Sequence, residues 1–219
     1  MKTDELIDVL AADLKPVRHL PPPIWRLIGW LTVSVPVLAL MVAVMGMRAD
    51  IGVKLAEPNF LSQELASLAT ALIAGWAALV TCVPGEPGWK LWTPVAPLTL
   101  WIATLGHQCW DEWIRLGLSG MAFHSDLMCL PGIAMTGAVP ALAIVLAIRR
   151  GARLPTPGAV WWGSLAAAAL ANVALRLFHP EDAALMVIVW QFGSVLLFMT
   201  LLSLCRRYLV PERTVCSLH

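Results

Sequence analysis

Charge is what this chain has least of. Only 13% of its 219 residues are Asp, Glu, Lys or Arg, while 59% are hydrophobic; a soluble domain carries roughly 25% charge. A soluble globular protein is excluded. The signatures of familiar enzymes are missing too. There is no Gly-x-Ser-x-Gly, no Cys-x-x-Cys, no His-Glu-x-x-His and no phosphate-binding Gly-rich loop, so a non-enzymatic role is expected.

What stands in place of charge is apolar length. Six uncharged runs, 27–47, 65–85, 91–110, 127–148, 154–175 and 183–205, hold 20 to 23 residues each. A hydrocarbon core of ~30 Å needs about 20 helical residues at a rise of ~1.5 Å. The expected fold is an all-α integral membrane protein: a six-transmembrane-helix bundle over 27–205, an amino-terminal segment 1–26 and a carboxy-terminal tail 206–219. Four acids and a Pro-Pro-Pro precede the first run and no small-residue cleavage site closes it, so it reads as a retained helix, not a signal peptide. Six spans put both termini on one side. That side carries 11 of the 15 Lys and Arg, which makes it cytoplasmic by the positive-inside rule.

Gly163, Ala167 and Ala171 fall four apart in the fifth run, as do Ala66, Thr70 and Ala74 in the second. Small residues at that spacing let membrane helices approach closely, so both helices are expected at the centre of the bundle. The connections 86–90 and 149–153 have five residues each and imply tight antiparallel neighbours. Segment 112–123 reads as a short amphipathic element at the outer interface. Thr70, Asn172 and Gln191 are expected to hydrogen-bond between helices. The spans themselves lack Asp, Glu, Lys and Arg, which disfavours ion-coupled transport.

Residues 1–14 are acidic and amphipathic. Thr3 suits an N-cap, Asp4 and Glu5 suit the positive end of a helix dipole, and Pro16 ends the run. Leu6, Ile7, Leu10 and Leu14 form one face; Asp4, Glu5 and Asp8 lie opposite, and Asp13 adds a fourth acid. So short a helix is marginal in water and orders when its apolar stripe is buried. Its net negative charge argues against the anionic inner leaflet as the surface that buries it. A protein partner or this protein's own inner loops can do so. Pro16 and Pro21-Pro22-Pro23 make the connection to Arg26 a stiff tether.

The outer edge gathers His107, Cys109, His124, Cys129 and His179, with Asp111, Glu112, Asp126, Glu181 and Asp182 nearby. Thiolate with imidazole suits soft or borderline metals, and an exposed thiol suits oxidants. The spacing matches no zinc signature, and an interfacial polar role is the better reading of each histidine alone.

Met1 to Pro23, Cys129 in Ser-Asp-Leu-Met-Cys-Leu, and Phe178-His179-Pro180-Glu181-Asp182 resemble the NrsF family, negative regulators of sigma F. The resemblance implies a six-helix protein of the bacterial inner membrane that acts as an anti-sigma factor for an extracytoplasmic-function sigma factor. It implies that Asp4, Glu5, Leu6, Ile7, Leu10, Asp13 and Leu14 engage that sigma factor, and that outward cysteines sense a metal or oxidant. Here Cys129 matches one family cysteine and His179 stands at the second. That leaves Cys129, His179 and Cys109 as sensing residues, and Cys129, His179, His124 and His107 as ligands for a transient metal ion. No resident cofactor and no direct nucleic-acid contact are expected. The competing reading is a small transporter or metal-handling membrane protein with the outer Cys and His residues as its entrance.

Overall fold

The computed structural model describes residues 20–83, 85–117, 129–151 and 156–179, with the isolated positions 12, 193 and 200. Among the described residues the structure is all-helical. Five long helices, α1 (Pro23–Met45), α3 (Pro58–Val80), α4 (Val95–Leu116), α5 (Cys129–Gly151) and α6 (Pro157–Phe178), are joined by a short α2 (Ile51–Ala56) and a 3₁₀ turn (Gly88–Trp92). Proline opens α1, α3 and α6, where its fixed φ suits the first turn and its missing N–H costs nothing. Thr156 adds a cap to α6, its side chain accepting from the Ala159 amide at 3.2 Å. Gly46 (φ 85°) and Gly117 (φ 60°) end α1 and α4 in a backbone region that suits glycine.

Each long helix overruns at one end the uncharged stretch that marks it in the sequence and falls short of it at the other. α3 begins at Pro58 rather than 65 and ends at Val80 rather than 85. α6 continues to Phe178 and takes in Arg176. α4 runs to Leu116, so residues 112–116 belong to that helix and not to a separate interfacial element. Backbone i→i−4 bonding does not stop at a charged residue once that residue finds a partner. The sixth run, 183–205, lies outside the described residues except for positions 193 and 200, as do most of 1–19 and the tail 206–219.

Among the described residues three helices, α1, α3 and α6, are long and apolar enough to cross a membrane, where the sequence predicts six spans. α4 is as long, but His107, Gln108, Asp111 and Glu112 fall in its second half.

α3 and α6 make the most extensive helix–helix contact; α6 also packs on α5, α3 on α4, and α1 lies against α5, α3 and α6. The small-residue stripes are the reason. Ala66, Thr70 and Ala74 are buried in α3, and Gly163, Ala167 and Ala171 in α6. Gly75 extends the fit to α1: a Cβ there would stand 3.0 Å from Leu27 Cδ1 and 3.2 Å from Trp30 Cζ3. Trp30 is fixed in turn by its indole N–H, which donates to the Pro140 carbonyl of α5 at 2.9 Å. Large apolar side chains such as Leu40, Val44, Leu100 and Leu142 remain exposed.

The bundle has two distinct ends. At one, Arg26 of α1 donates to the carbonyls of Leu79 in α3 and Ala147 in α5. At the other, the last turns of α4 and α6 meet the first turns of α3.

Candidate functional site

Polar residues concentrate at that second end, and several are buried. Arg176 of α6 is 3% exposed, Glu64 of α3 9% and Gln63 1%. Arg176 Nε lies 3.2 Å from Glu64 Oε1, and its Nη1 donates to Gln63 Oε1 at 2.7 Å. Gln63 Nε2 then donates to Gln108 Oε1 of α4 at 2.7 Å, and Gln108 Nε2 donates to Glu112 Oε1 at 2.7 Å. This is a directed relay across three helices, from a guanidinium through two amides to a carboxylate. The charges at its ends fix which way each amide points, since a cation supplies donors and a carboxylate accepts. One turn deeper, Asn172 Nδ2 donates to Ser67 Oγ at 3.1 Å, and Ser67 Oγ donates to the Ala169 carbonyl at 2.9 Å. Asn172 thus bonds between helices as expected; Thr70 instead bonds the Ala66 carbonyl of its own helix at 2.7 Å.

Arg48, after α1, ties the neighbouring turn to the end of α6. Its amide donates to the Leu177 carbonyl at 3.0 Å, and its guanidinium grips both Asp50 oxygens at 2.7 and 2.9 Å and reaches the His179 carbonyl at 3.4 Å. The hydrogen bond from Arg48 holds the exposed Asp50 carboxyl below its ordinary value. The Phe60 ring faces two guanidiniums, Arg176 at 4.5 Å and Arg48 at 6.0 Å from its centroid. Above the relay a cavity of about 200 Å³ opens, with Phe60, Gln108, Glu112, Arg115 and Arg176 in its wall.

Of the residues expected to sense or to hold metal, His107, Cys109 and His179 are described with their side chains or contacts. His107 is largely exposed and its Nδ1 lies 3.2 Å from Asp111 Oδ2, one turn along α4. Cys109 packs against the hydrophobic core instead. Two residues apart on one helix, the pair points in nearly opposite directions, so His107 and Cys109 do not share a ligand set. His179 follows α6, its amide bonded to the Leu175 carbonyl at 2.8 Å. Cys129 is the first residue of α5, but its side chain lies outside the described residues, as does His124. Among the described residues no group of three or more His, Cys, Asp or Glu has metal-holding geometry. The thiols of Cys82 and Cys109 are free. Asp4, Glu5, Leu6, Ile7, Leu10, Asp13 and Leu14 all lie outside the described residues.

Sequence reasoning missed Gln63, Glu64, Gln108 and Arg176, and named Glu112 only as a neighbour of the outer Cys and His residues. Truncating helices at the first charge placed Glu64, Glu112 and Arg176 in loops. A usable signal was present: Gln63, Ser67, Thr70 and Ala74 follow one helical stripe, and Asn172 and Arg176 stand four apart. The expectation of charge-free spans is corrected accordingly. Even so, the buried charges sit within about two turns of the ends of α3 and α6, not at their middles.

A family model described as negative regulator of sigma F matches residues 10–210. The chain belongs to the NrsF family. No curated protein and no solved structure matches it. The match takes in every described helix, so the relay and the cavity lie within the NrsF region. Leu10, Asp13 and Leu14 fall inside it too, and Asp4 to Ile7 precede it. The NrsF description names a regulator of a sigma factor rather than a catalyst.

Proposed function

We propose that this protein is a membrane-bound anti-sigma factor that sequesters an extracytoplasmic-function sigma factor through residues 1–14. The observation that carries the reading is membership of the NrsF family over residues 10–210. The acidic, amphipathic pattern of Asp4, Glu5, Leu6, Ile7, Leu10, Asp13 and Leu14 supplies the binding face. Each large aliphatic side chain buried on the partner contributes roughly 1.5–3 kcal/mol, so four together offset the cost of ordering the helix. The bundle is the anchor. In this reading six helices cross the bacterial inner membrane with both termini in the cytoplasm, supported by the six runs and the distribution of Lys and Arg.

Release follows a metal or oxidant signal at Cys129 and His179 on the outer side. What supports this part is the resemblance around those two residues together with the position of His179. It ends α6, next to the Arg48 contact that joins α6 to the turn after α1. Imidazole and thiolate fit a soft or borderline metal, so an ion bound there acts directly on the end of α6.

The test is capture of the cognate sigma factor by the full-length protein in nanodiscs. Wild type retains it, and Leu6→Asp/Leu10→Asp loses at least tenfold in capture; undiminished capture by that variant overturns the binding assignment. A reporter of sigma-factor activity should respond to metal or oxidant in wild type and not in Cys129→Ala/His179→Ala. An intact response in that double variant removes the sensing residues from the mechanism.

A further inference from the structure

The cavity above the relay has a charge pattern that points to a ligand. Its wall contains three cations, Lys54, Arg115 and Arg176, and three carboxylates, Glu57, Asp111 and Glu112. Most of these are matched within the protein: Lys54 with Glu57 at 3.0 Å, Arg176 with Glu64 at 3.2 Å, Asp111 with His107 at 3.2 Å. Glu112 and Arg115 are different. They stand three residues apart on α4, a spacing that favours pairing, yet neither has an ion-pair partner among the described residues. Glu112 receives only the neutral amide of Gln108, and Arg115 is exposed at the rim. The cavity therefore presents one separated positive pole and one separated negative pole.

We propose that this cavity binds a zwitterionic group of the phosphoethanolamine kind, its oxyanion on Arg115 and its ammonium on Glu112. A guanidinium forks onto phosphate oxygens, and a carboxylate accepts from a primary ammonium. A trimethylammonium group has no N–H to donate, and its usual partner is an aromatic face. Among the described residues of the wall Phe60 is the one aromatic ring, and it already faces two guanidiniums, so phosphocholine is disfavoured. The volume of about 200 Å³ holds roughly six or seven waters at ~30 Å³ each, enough for a compact headgroup and too little for a folded peptide. Depth agrees. Trp110 and Trp113, beside Asp111 and Glu112 on α4, are exposed with ring centroids 5.1 Å apart, and indoles settle at the headgroup level of a bilayer.

The occupant touches the relay as well as the rim. Its ammonium competes with Gln108 for Glu112, and a change there passes through Gln63 to Arg176. The site does not depend on sigma-factor binding, so its test is read on lipid alone.

The experiment is retention of lipid by purified full-length protein in native mass spectrometry, paired with thermal unfolding in detergent and in nanodiscs. Phosphatidylethanolamine should be retained at least tenfold over phosphatidylcholine and should raise the Tm by several degrees. Soluble O-phosphoethanolamine in lipid-free detergent separates the two sources of the group: protection there means the headgroup suffices, and protection by the lipid alone means the acyl anchor is needed. Glu112→Gln, which keeps an acceptor for Gln108, and Arg115→Gln should each abolish the preference with the fold unchanged by circular dichroism. Equal retention of the two lipids by wild type, or an unaltered preference in the double variant, overturns the proposal.

Discussion

Gln63 of α3 and Gln108 of α4 meet amide to amide, Nε2 of the first 2.7 Å from Oε1 of the second. Neither amide can turn over without placing a donor against Arg176 or an acceptor against Glu112. Their orientation is therefore set by charges on α6 and on the following turn of α4, and the α3–α4 contact is specified by polarity where packing alone would leave it free to slide.

Replacing Gln63 with Leu removes the acceptor of a buried guanidinium and the donor to Gln108. A cost of about 2–3 kcal/mol is expected, because leaving a buried donor unsatisfied costs ~1–3 kcal/mol and charge raises it. Gln108→Leu should cost less, since Gln108 lies nearer the cavity. A double-mutant cycle in chemical unfolding should show coupling of about 0.5 kcal/mol or more; strict additivity would contradict the relay.

Glu64→Leu leaves Arg176 buried beside Gln63 with its ion-pair partner gone. Breaking a buried pair typically costs about 3–5 kcal/mol, whereas replacing both members by apolar residues is often far milder. Glu64→Leu/Arg176→Met should thus be more stable than Glu64→Leu alone. The comparison is made by thermal unfolding in detergent, and the reverse order would show that the two residues do not act as a pair.

Gly75→Ala introduces a Cβ 3.0 Å from Leu27 Cδ1 and 3.2 Å from Trp30 Cζ3. Leu27 can swing aside, but Trp30 is held by its bond to the Pro140 carbonyl. Overpacking of this kind costs about 1–3 kcal/mol, and the low end is expected here. Gly29→Ala, in open space within α1, serves as the control and should raise stability slightly, by up to about 1 kcal/mol, through helix propensity.

Acid should loosen the turn after α1. The Asp50 carboxyl titrates below its ordinary value of 3.8 because Arg48 hydrogen-bonds it. A depressed folded-state value means that the contribution is present above the unfolded value and is lost as pH falls through the lower folded one. Asp50→Asn should accordingly unfold at a lower temperature than wild type at pH 7. The gap should close once the pH drops well under 3.8. A gap of the same size at all pH values would mean that ionisation of Asp50 is irrelevant there.

The central pairing of α3 and α6 was legible in the sequence, because Ala66, Thr70, Ala74 and Gly163, Ala167, Ala171 keep a spacing that only a close helix contact requires. Helix ends were not. Absence of charge marks where a helix can face lipid, and α3 and α6 continue past that limit where Glu64 and Arg176 meet, α4 where Asp111 and Glu112 bond His107 and Gln108 of the preceding turn. For the same reason the relay was out of reach: Gln63, Gln108, Glu112 and Arg176 come from three helices, and nothing local in any one of them announces the others. His107 and Cys109 share the end of α4 that their place in the sequence implies, but on opposite sides of the helix: His107 is exposed and Cys109 packs against the core.

Arg26 gives the opposite end of the bundle a mechanical character. It lies three residues beyond Pro23, where the proline-rich tether enters the helix, and it holds the carbonyls of Leu79 and Ala147 on two other helices. A tug on the tether is then not borne by α1 alone. The load divides at its first turn among α1, α3 and α5, so the amino-terminal segment is moored to the bundle at three points.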